Sequence, residues 1–416
     1  MKISFIGRGD IIMASKLMNL FRDKMSKNKS ANKEAVFDVM YPTGFTALDF
    51  INGTVVWVKS DTMDMNYNSV GIMDGSSNLL IGRSGSGKST LGIQIIGNLL
   101  KQFPNATAYI DDIEGSLPIP RKEFLLGLSE EDLRNRVFMR NTDITTENVY
   151  EQIRNIYDIK MENKADFEYD TGLYDIYGNR IYKLEPTFYF IDSLAMLMPN
   201  DVVQDDELFS NMTGSSVAKQ NTALVKKISQ LLKGANIILI TINHILDDIQ
   251  LGFIPKPQQI AGLKQGERVP GGRTMLYLAN NMFRLDEKTT LKEAEGYGIN
   301  GTVVDITIVK SRTNASRRSV PLIFDKSNGG FDNELSLLHL LKTEGFVQGA
   351  SKSVYITTNP DAKFSFKTFK QDLRSNPELQ VAFATATKTV LEGLLSDTKV
   401  QEKSEEEFDI NNMILS

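Results

Sequence analysis

The sequence predicts an α/β fold with a mostly parallel sheet. Short apolar segments typical of buried strands lie at 78–81, 187–192 and 237–242. Longer segments with helical spacing of apolar residues lie at 90–100 and 216–233. Strands that alternate with helices in this way are typical of a parallel sheet covered by helices. We therefore expect polar residues of a binding site to gather beyond the carboxyl ends of these strands.

Each predicted element depends on a local pattern. Alternation around Gly178 and Asn179, within 169–184, predicts a β-hairpin. Residues 245–270 hold Gly, Pro, Lys and Gln with little periodicity, which predicts a long loop. In chain order, the other predicted elements are a helix at 46–51, strands at 54–58 and 78–81, a helix at 90–100, a strand at 106–110, a helix at 147–161, a strand at 187–192, a helix at 216–233, and strands at 237–242, 303–309 and 320–324.

The chain divides into four predicted parts. Residues 1–35 form a basic, amphipathic helical arm and a linker, because apolar residues recur there at near-helical spacing between Lys and Arg. Residues 36–335 form the core, and 336–395 form a small C-terminal subdomain. Residues 396–416 form an exposed acidic tail. The tail serves either solubility alone or competition with DNA for a basic groove.

The composition predicts a globular protein of the cytoplasm. The chain of 416 residues is 41% hydrophobic and 24% charged, which is ordinary for such proteins. With no cysteine and two histidines, disulfides and metal sites rich in Cys or His are excluded. We find no apolar run long enough to span a bilayer and no secretory signal. The net charge of −5 argues against uniform attraction to nucleic acid but permits a local basic groove.

The glycine-rich segment (residues 82–89) fits the pattern G-x-x-x-x-G-K-[ST] at every fixed position. A predicted strand precedes it and a predicted helix follows, which is the context that the motif requires. Backbone N–H groups of such a turn surround phosphate oxygens, the lysine reaches the β- and γ-phosphates, and the hydroxyl that follows ligates Mg²⁺. The alternative is a glycine-rich turn without a ligand. The motif predicts ATP and Mg²⁺ as ligands, held by Gly82, Arg83, Ser84, Gly85, Ser86, Gly87, Lys88, Ser89 and the adjacent Thr90.

Carboxylates follow two of the predicted strands. Asp192 ends an apolar strand, which is the pattern of an acid that holds Mg²⁺ together with Ser89; the alternative is a helix N-cap. Asp111, Asp112 and Glu114 follow the strand at 106–110. A carboxylate there can orient the water that attacks the γ-phosphate. Glu114 is the first choice because of its longer reach, and Asp112 is the second.

Polar residues also follow two later strands. Asn243 and His244 end the strand at 237–242 and can sense the γ-phosphate; the alternative is a hydrogen-bonded turn. Lys310 and Arg312 end the strand at 303–309 and can neutralise charge that develops on the γ-phosphate. In oligomeric ATPases such cations act across the subunit interface. A solvated basic hairpin is the alternative, above all for Arg317 and Arg318, which follow closely.

In this order, the pieces resemble the RecA family of DNA recombinases, most closely the phage UvsX type. The resemblance covers about residues 42–347 and extends more faintly to about 395. It is carried by Thr43-Gly44, Leu48-Asp49, the glycine-rich segment, Asp112-Ile113-Glu114, Phe190-Ile191-Asp192-Ser193-Leu194, Ile242-Asn243-His244, Pro270-Gly271-Gly272, Val309-Lys310-Ser311-Arg312-Thr313 and Gly329-Gly330-Phe331-Asp332.

The resemblance implies a RecA-like P-loop core and an ATP-dependent filament on single-stranded DNA that pairs this strand with a homologous duplex. It implies a catalytic Glu114, a γ-phosphate sensor at His244, and Lys310 and Arg312 acting across the filament interface. Mediator and single-strand-binding proteins are implied partners, the N-terminal arm would dock on a neighbouring protomer, and the compartment would be a host cytoplasm. Two DNA loops are implied, at about 199–215 and 245–273, and the second offers Lys256, Lys264, Arg268, Gly271, Gly272 and Arg273.

Two other functions stay open. A hexameric replicative helicase of the DnaB type shares this core and also uses a Lys-x-Arg pair, although the segment before the core is short for a helicase. The other is a regulatory paralogue that binds ATP and DNA but hydrolyses slowly. Departures from the family pattern are the hairpin within 169–184, which is extra, and the acidic first loop, which holds Asp201, Asp205, Asp206 and Glu207.

Overall fold

A nine-stranded sheet organises the described part of the chain. The computed structural model describes residues 38–60, 62–115, 117–203, 213–247, 263–270, 279–292, 297–314, 316–350 and 353–397. All the elements lie in one compact unit that begins at Val39. The predicted N-terminal arm lies outside the described residues, as does the acidic tail apart from its first two residues.

The strands alternate with helices along the chain, as the sequence predicts. The strands are β1 (Met40–Tyr41), β2 (Thr54–Ser60), β3 (Met63–Ser69), β4 (Ile72–Met73), β5 (Ser77–Gly82), β6 (Thr107–Asp112), β7 (Val137–Arg140), β8 (Glu168–Tyr174), β9 (Arg180–Leu184), β10 (Thr187–Asp192), β11 (Ile237–His244), β12 (Leu246–Asp247), β13 (Glu267–Arg268), β14 (Asn281–Leu291), β15 (Gly301–Lys310), β16 (Ser319–Asp325), β17 (Gly330–Asp332), β18 (Val347–Ala350), β19 (Ser353–Ile356), β20 (Asn359–Phe364) and β21 (Ser396–Asp397).

The helices of the described residues are α1 (Thr46–Ile51), α2 (Lys88–Gln102), α3 (Ile119–Leu126), α4 (Glu130–Arg136), α5 (Thr146–Glu162), α6 (Lys164–Phe167), α7 (Asn200–Val203), α8 (Thr213–Ala235), α9 (Asn333–Thr343), α10 (Phe369–Ser375) and α11 (Pro377–Glu392), with a single 3₁₀ turn at Leu194–Met196.

The strand order of the main sheet is β17-β16-β15-β14-β5-β11-β10-β6-β7. Every pairing from β14 to β7 is parallel, whereas β14, β15, β16 and β17 pair in antiparallel fashion. The prediction of an α/β fold with a mostly parallel sheet is therefore confirmed. Because the connections between parallel strands cross over the sheet, its carboxyl ends meet at one edge.

Helices cover both faces of the sheet, and alternate residues of β10 point to opposite faces. Tyr189 and Ile191 belong to a buried cluster with apolar residues of α5 and α8. Phe190 points the other way and packs on α2, where a side chain at Gly92 would come within 2.4 Å of its ring. This close packing explains why β10 is buried along its whole length.

Smaller sheets lie beside the main one. The predicted hairpin within 169–184 is confirmed, since β8 and β9 pair in antiparallel fashion. The predicted strand at 54–58 exists as β2, but it pairs with β3 and β21 rather than with the main sheet. β18, β19 and β20 form a further sheet within the predicted C-terminal subdomain. The predicted domain boundaries at 335 and 395 stay predictions.

Candidate functional site

Four parallel strands end side by side at one edge of the main sheet, which we call the carboxyl edge. β5, β11, β10 and β6 are neighbours in that order. In register, Gly82 pairs with His244, and Asp192 pairs with Asp112. Residues predicted from separate strands are thus brought to one place. Open α/β sheets bind their ligands beyond this edge.

The glycine-rich segment joins β5 to α2. Gly85 and Gly87 have φ angles of +81° and +87°, which strongly favour glycine. A Cβ at Gly87 would lie 2.8 Å from Phe331 Cζ, so this position also has no room for a side chain. At Gly85 an added Cβ would meet no described atom within 4 Å. The turn therefore depends on glycine for its backbone and leaves open space beside Gly85.

Lys88, the first residue of α2, is a charged residue held beneath this turn. It is 5% exposed, and its Nζ donates to the Arg83 carbonyl at 2.8 Å. Burial lowers the pKa of Lys88, while the negative charges of Asp192 and Glu114 act in the opposite direction. The Lys88 side chain is therefore buried against the turn, and it is close enough to Asp192 and Glu114 for their charges to affect it.

Three buried or half-buried hydroxyls lie in or directly after the turn, and a fourth, that of Ser84, is exposed. Ser86 and Thr90 are buried, and Ser89 is half-buried. The Ser86 Oγ is buried without a hydrogen-bond partner among the described residues. An orphaned buried hydroxyl is uncommon in folded proteins. It marks a place where a bound acceptor, such as a phosphate oxygen, would complete the bonding.

Glu114 is the carboxylate that the structure places beside His244. The backbone N–H of Glu114 donates to the Asp192 carbonyl at 3.2 Å, which fixes the segment after β6 against the end of β10. Its Oε1 accepts a hydrogen bond from Ser193 Oγ and lies 2.8 Å from His244 Nε2. The Glu114 side chain is 24% exposed, so water can reach it. The residues that the sequence predicts separately as the catalytic carboxylate and the sensor thus contact each other.

Asp111 and Asp112 each form an ion pair with a basic residue. Asp111 accepts hydrogen bonds from Arg140 at 2.8 and 2.7 Å. Asp112 Oδ2 lies 2.6 Å from Lys122 Nζ, and both side chains are buried. A buried charge of this kind needs its partner, because breaking the pair leaves the other charge uncompensated. The geometry therefore favours Glu114 over Asp112 for any role with water.

Ser89 and Asp192 are the predicted magnesium ligands. Asp192 is buried at the end of β10, and the peptide bond that follows it is cis. Within the described residues, no group of three or more His, Cys, Asp or Glu side chains could hold a metal ion. Magnesium bound with a nucleotide needs no such group, because phosphate oxygens and water supply most of its ligands. One hydroxyl and one carboxylate are the donor types that a protein supplies to a nucleotide-bound Mg²⁺.

The predicted long loop, residues 245–270, begins and ends at the same edge. β12 and β13 form an antiparallel ladder in which Asp247 pairs with Glu267. Asn243 Nδ2 donates to the Pro270 carbonyl at 2.9 Å, which joins the end of β11 to the second residue after this ladder. The predicted long loop is therefore closed at its base by a short ladder that the sequence did not reveal.

An ion pair joins the glycine-rich segment to this ladder. Arg83 Nη2 donates to Asp247 Oδ1 at 2.6 Å, and the two side chains are 58% and 69% exposed. The Arg83 guanidinium holds the pKa of the Asp247 carboxyl below its usual range. Arg83 Nη2 is also 4.0 Å from Glu267 Oε1, and Glu267 is itself buried against Arg284 at 2.6 Å. The two predicted binding regions are thus in direct contact.

The predicted DNA-binding residues fall into two groups. Lys264 and Arg268 lie at the ladder and are exposed. Lys264 Nζ is 3.9 Å from Asp286 Oδ1. The others lie outside the described residues: Lys256, Gly271, Gly272 and Arg273. Most of the predicted first DNA loop also lies outside them, since α7 ends at Val203 and α8 begins at Thr213.

Lys310 and Arg312 lie at the opposite edge of the sheet, which we call the amino edge. Met282 of β14 pairs with both Lys310 and Leu79, near the start of β5. Leu79 and Gly82 are separated by roughly 10 Å along the strand. Burial, followed by the nearby charge of Arg312, lowers the pKa of Lys310. These two cations are therefore not brought together with the glycine-rich segment of their own chain.

No protein-family model matches this chain, and no curated protein matches it. Within the described residues, no helix has both the length and the apolar character needed to cross a membrane.

Sequence reasoning did not assign roles to Ser193, Asp247, Lys122 or Arg140. Ser193 follows a strand-end acid, which was the one available signal. No sequence signal points to Arg140 and Lys122 as the partners of Asp111 and Asp112. These two residues lie in other elements and reach the carboxylates only in the folded chain.

Proposed function

We propose that this chain is a DNA-stimulated ATPase that forms filaments on single-stranded DNA and exchanges strands with a homologous duplex. One observation carries the proposal: the predicted ATPase residues are divided between two edges of one sheet. Lys88 and Glu114 belong to the carboxyl edge, and Lys310 to the amino edge. Residues that serve one reaction but lie apart within a chain meet when copies associate head to tail. The order of motifs that resembles the RecA family supports the same function.

The glycine-rich segment fits the phosphates of ATP. Backbone N–H groups at the start of α2 favour an anion, and the space beside Gly85 is open. The buried Ser86 hydroxyl lacks an acceptor or donor among the described residues, and Lys88 supplies a positive charge. Ser89 and Asp192 would hold Mg²⁺, which, when bound, supplies charge neutralisation at the phosphate oxygens.

Glu114 is the group that we expect to act on water. Its carboxylate is partly exposed, and it is close enough to Lys88 for their charges to interact. A carboxylate accepts a proton from water as the water attacks the γ-phosphorus. His244 contacts the same carboxylate and begins the connection to the β12–β13 ladder. Loss of the γ-phosphate would therefore alter the contact between Glu114 and His244, and with it the base of the proposed DNA loop.

A second copy completes the site. Lys310 and Arg312 of a neighbouring copy would approach the γ-phosphate and stabilise the charge that develops there. ATP then favours the assembled state, because it lies between the copies and contacts both. Lys264 and Arg268, exposed at the ladder, would contribute phosphate contacts to single-stranded DNA.

The test is ATP hydrolysis with and without single-stranded DNA, with electron microscopy of the same samples. Helical filaments together with stimulated hydrolysis support the proposal, and strand exchange is then the next assay. Lys88→Ala is the control and should abolish hydrolysis.

Closed rings that translocate along DNA would instead establish a hexameric helicase, since the division of cations between two edges also suits a ring. Nucleotide binding with neither assembly nor turnover would point to a regulatory protein. Either of these results overturns the proposed function.

A further inference from the structure

Ser193 is wholly buried and touches the proposed catalytic carboxylate. It follows Asp192 directly and is 0% exposed. Its Oγ donates a hydrogen bond to Glu114 Oε1. The partner carboxylate belongs to a different element, the segment after β6, so the bond joins two strand ends. A serine buried at this position serves that carboxylate rather than solvent.

Two side chains, which we call the anchors of Glu114, contact the same oxygen of its carboxylate. Ser193 Oγ and His244 Nε2 both contact Oε1. No hydrogen bond from a described residue reaches Oε2. Rotation about the last side-chain bond of a glutamate is otherwise loosely restrained. Holding Oε1 from two sides therefore fixes the plane of the carboxylate and leaves Oε2 for another ligand.

The two anchors differ in exposure and in position. Ser193 is buried at the end of β10, in the middle of the parallel sheet. The His244 side chain is 25% exposed and lies at the end of β11, where the chain leads into the ladder of the proposed DNA loop. His244 is therefore the partly exposed contact to Glu114 Oε1, and Ser193 is the wholly buried one.

We propose that Ser193 is a positioning residue that holds Oε1 of Glu114 so that Oε2 faces the attacking water. The inference depends on the ATP hydrolysis proposed above. In the step that it serves, the water oxygen forms a bond to the γ-phosphorus, and the bond from that phosphorus to the β-phosphate oxygen breaks. The water proton passes to Oε2 and then to the released phosphate. The products are ADP and phosphate.

The experiment compares kcat and KM for ATP in the full-length protein. Ser193→Ala should lower kcat by about 10- to 100-fold, because a small misplacement of a catalytic group has effects of this size. KM and the affinity for a fluorescent ATP analogue should change by less than about twofold, since Ser193 does not touch the nucleotide. Ser193→Thr, which keeps a hydroxyl, should regain most of the lost activity. Unchanged kcat in Ser193→Ala overturns the inference.

A second set of variants separates positioning from a role in the fold. Ser193→Cys keeps the size of the side chain but donates weakly, so it should lose activity as Ser193→Ala does even if the alanine variant folds poorly. In a Glu114→Gln background, Ser193→Ala should cause no further loss, because the two residues act as a unit. A further loss in that background overturns the positioning role.

Ser336→Ala is the matched control. Ser336 is also 0% exposed, and its hydroxyl accepts a hydrogen bond from the Ile323 N–H rather than bonding to Glu114. It should lower stability without lowering kcat. Hydrolysis that is absent even from the unmodified protein overturns the proposed function and the role of Ser193 together. Hydrolysis that is present but insensitive to Ser193 overturns the role alone.

Discussion

His244 Nε2 lies 2.8 Å from Glu114 Oε1, so the ends of β11 and β6 are joined through their side chains. β10 lies between these two strands in the sheet, and the contact therefore passes over its carboxyl end. A carboxylate held in this way is already oriented before any ligand arrives. Such preorganisation is how folded proteins lower the barrier for a reaction that needs a fixed geometry.

Glu114→Gln should lower the rate of ATP hydrolysis by about 100-fold or more, because an amide cannot accept the proton of water. ATP binding and thermal stability should stay close to those of the unmodified protein, since the side chain is 24% exposed. Asp112→Asn is the contrasting variant. It should lower the free energy of unfolding by about 3–5 kcal/mol, because the buried Lys122 would lose its partner. Stopped hydrolysis in a stable Asp112→Asn protein would contradict the assignment of Glu114.

Two inactive variants should restore activity when they are mixed. Lys88→Ala should abolish hydrolysis, and Arg312→Ala should remove most of the DNA-stimulated rate. In an equimolar mixture, a quarter of random head-to-tail contacts pair an intact Lys88 with an intact Arg312. We therefore expect about a quarter of the normal rate. Activity that remains normal in Arg312→Ala alone would contradict the shared site.

Asp247→Asn should weaken the coupling between DNA and ATP hydrolysis. The variant loses the ion pair with Arg83 at the base of the proposed DNA loop. Exposed pairs of this kind contribute little, so stimulation by DNA should fall by no more than about fivefold, while the rate without DNA stays the same. The effect should shrink at high salt, where exposed charges are screened.

Glu130→Gln supplies the control for this prediction. Glu130 and Arg134 form an exposed ion pair at 2.8 Å on α4, away from the carboxyl edge. Its loss should leave stimulation by DNA unchanged. Equal stimulation in Asp247→Asn and in the unmodified protein at low salt would show that this ion pair carries no coupling.

The stability of the protein should rise with pH above neutrality because of Lys160. Burial lowers the pKa of Lys160 to about 7. Its Nζ donates to the carbonyls of Glu185 and Ala235. Between this pKa and the usual value near 10.4, the unfolded chain binds a proton that the folded chain lacks. The free energy of unfolding should therefore gain on the order of 1 kcal/mol per pH unit from this group.

Denaturant unfolding at pH 7 and pH 9 checks this expectation. The gain should disappear in Lys160→Met and persist in Lys164→Met, whose side chain is 56% exposed in the unmodified protein. An equal pH dependence in Lys160→Met and the unmodified protein would show that Lys160 is charged in both states.

The elements that could be predicted from sequence are those with strong local patterns. The buried strand β10 and the hairpin around Gly178 were found because their apolar residues are continuous or alternate. β14 was not found, since its second half is polar and half-exposed or exposed. Its first half is buried only because β5 and β15 lie on either side of it. Short strands such as β18 have too few residues to show a period.

The site was predicted in its parts but not in its arrangement. Glu114 could not be separated from Asp112 by sequence, because the difference between them is the ion pair with Lys122. The opposite placement of Lys310 and the glycine-rich segment depends on strand direction, since β15 runs antiparallel to β14. Direction follows from the connections in space and is not readable from the residues at a strand end.

In the proposed head-to-tail filament, the separation of Lys310 from Gly82 would also give the polymer a direction. One terminal copy presents a glycine-rich segment with no neighbour to supply cations, and the other presents cations with no nucleotide to meet. The two ends of the polymer are therefore chemically different surfaces. Addition and loss of copies should run at unequal rates at the two ends. Hydrolysis should also be silent at one terminal copy, whatever the length of the polymer.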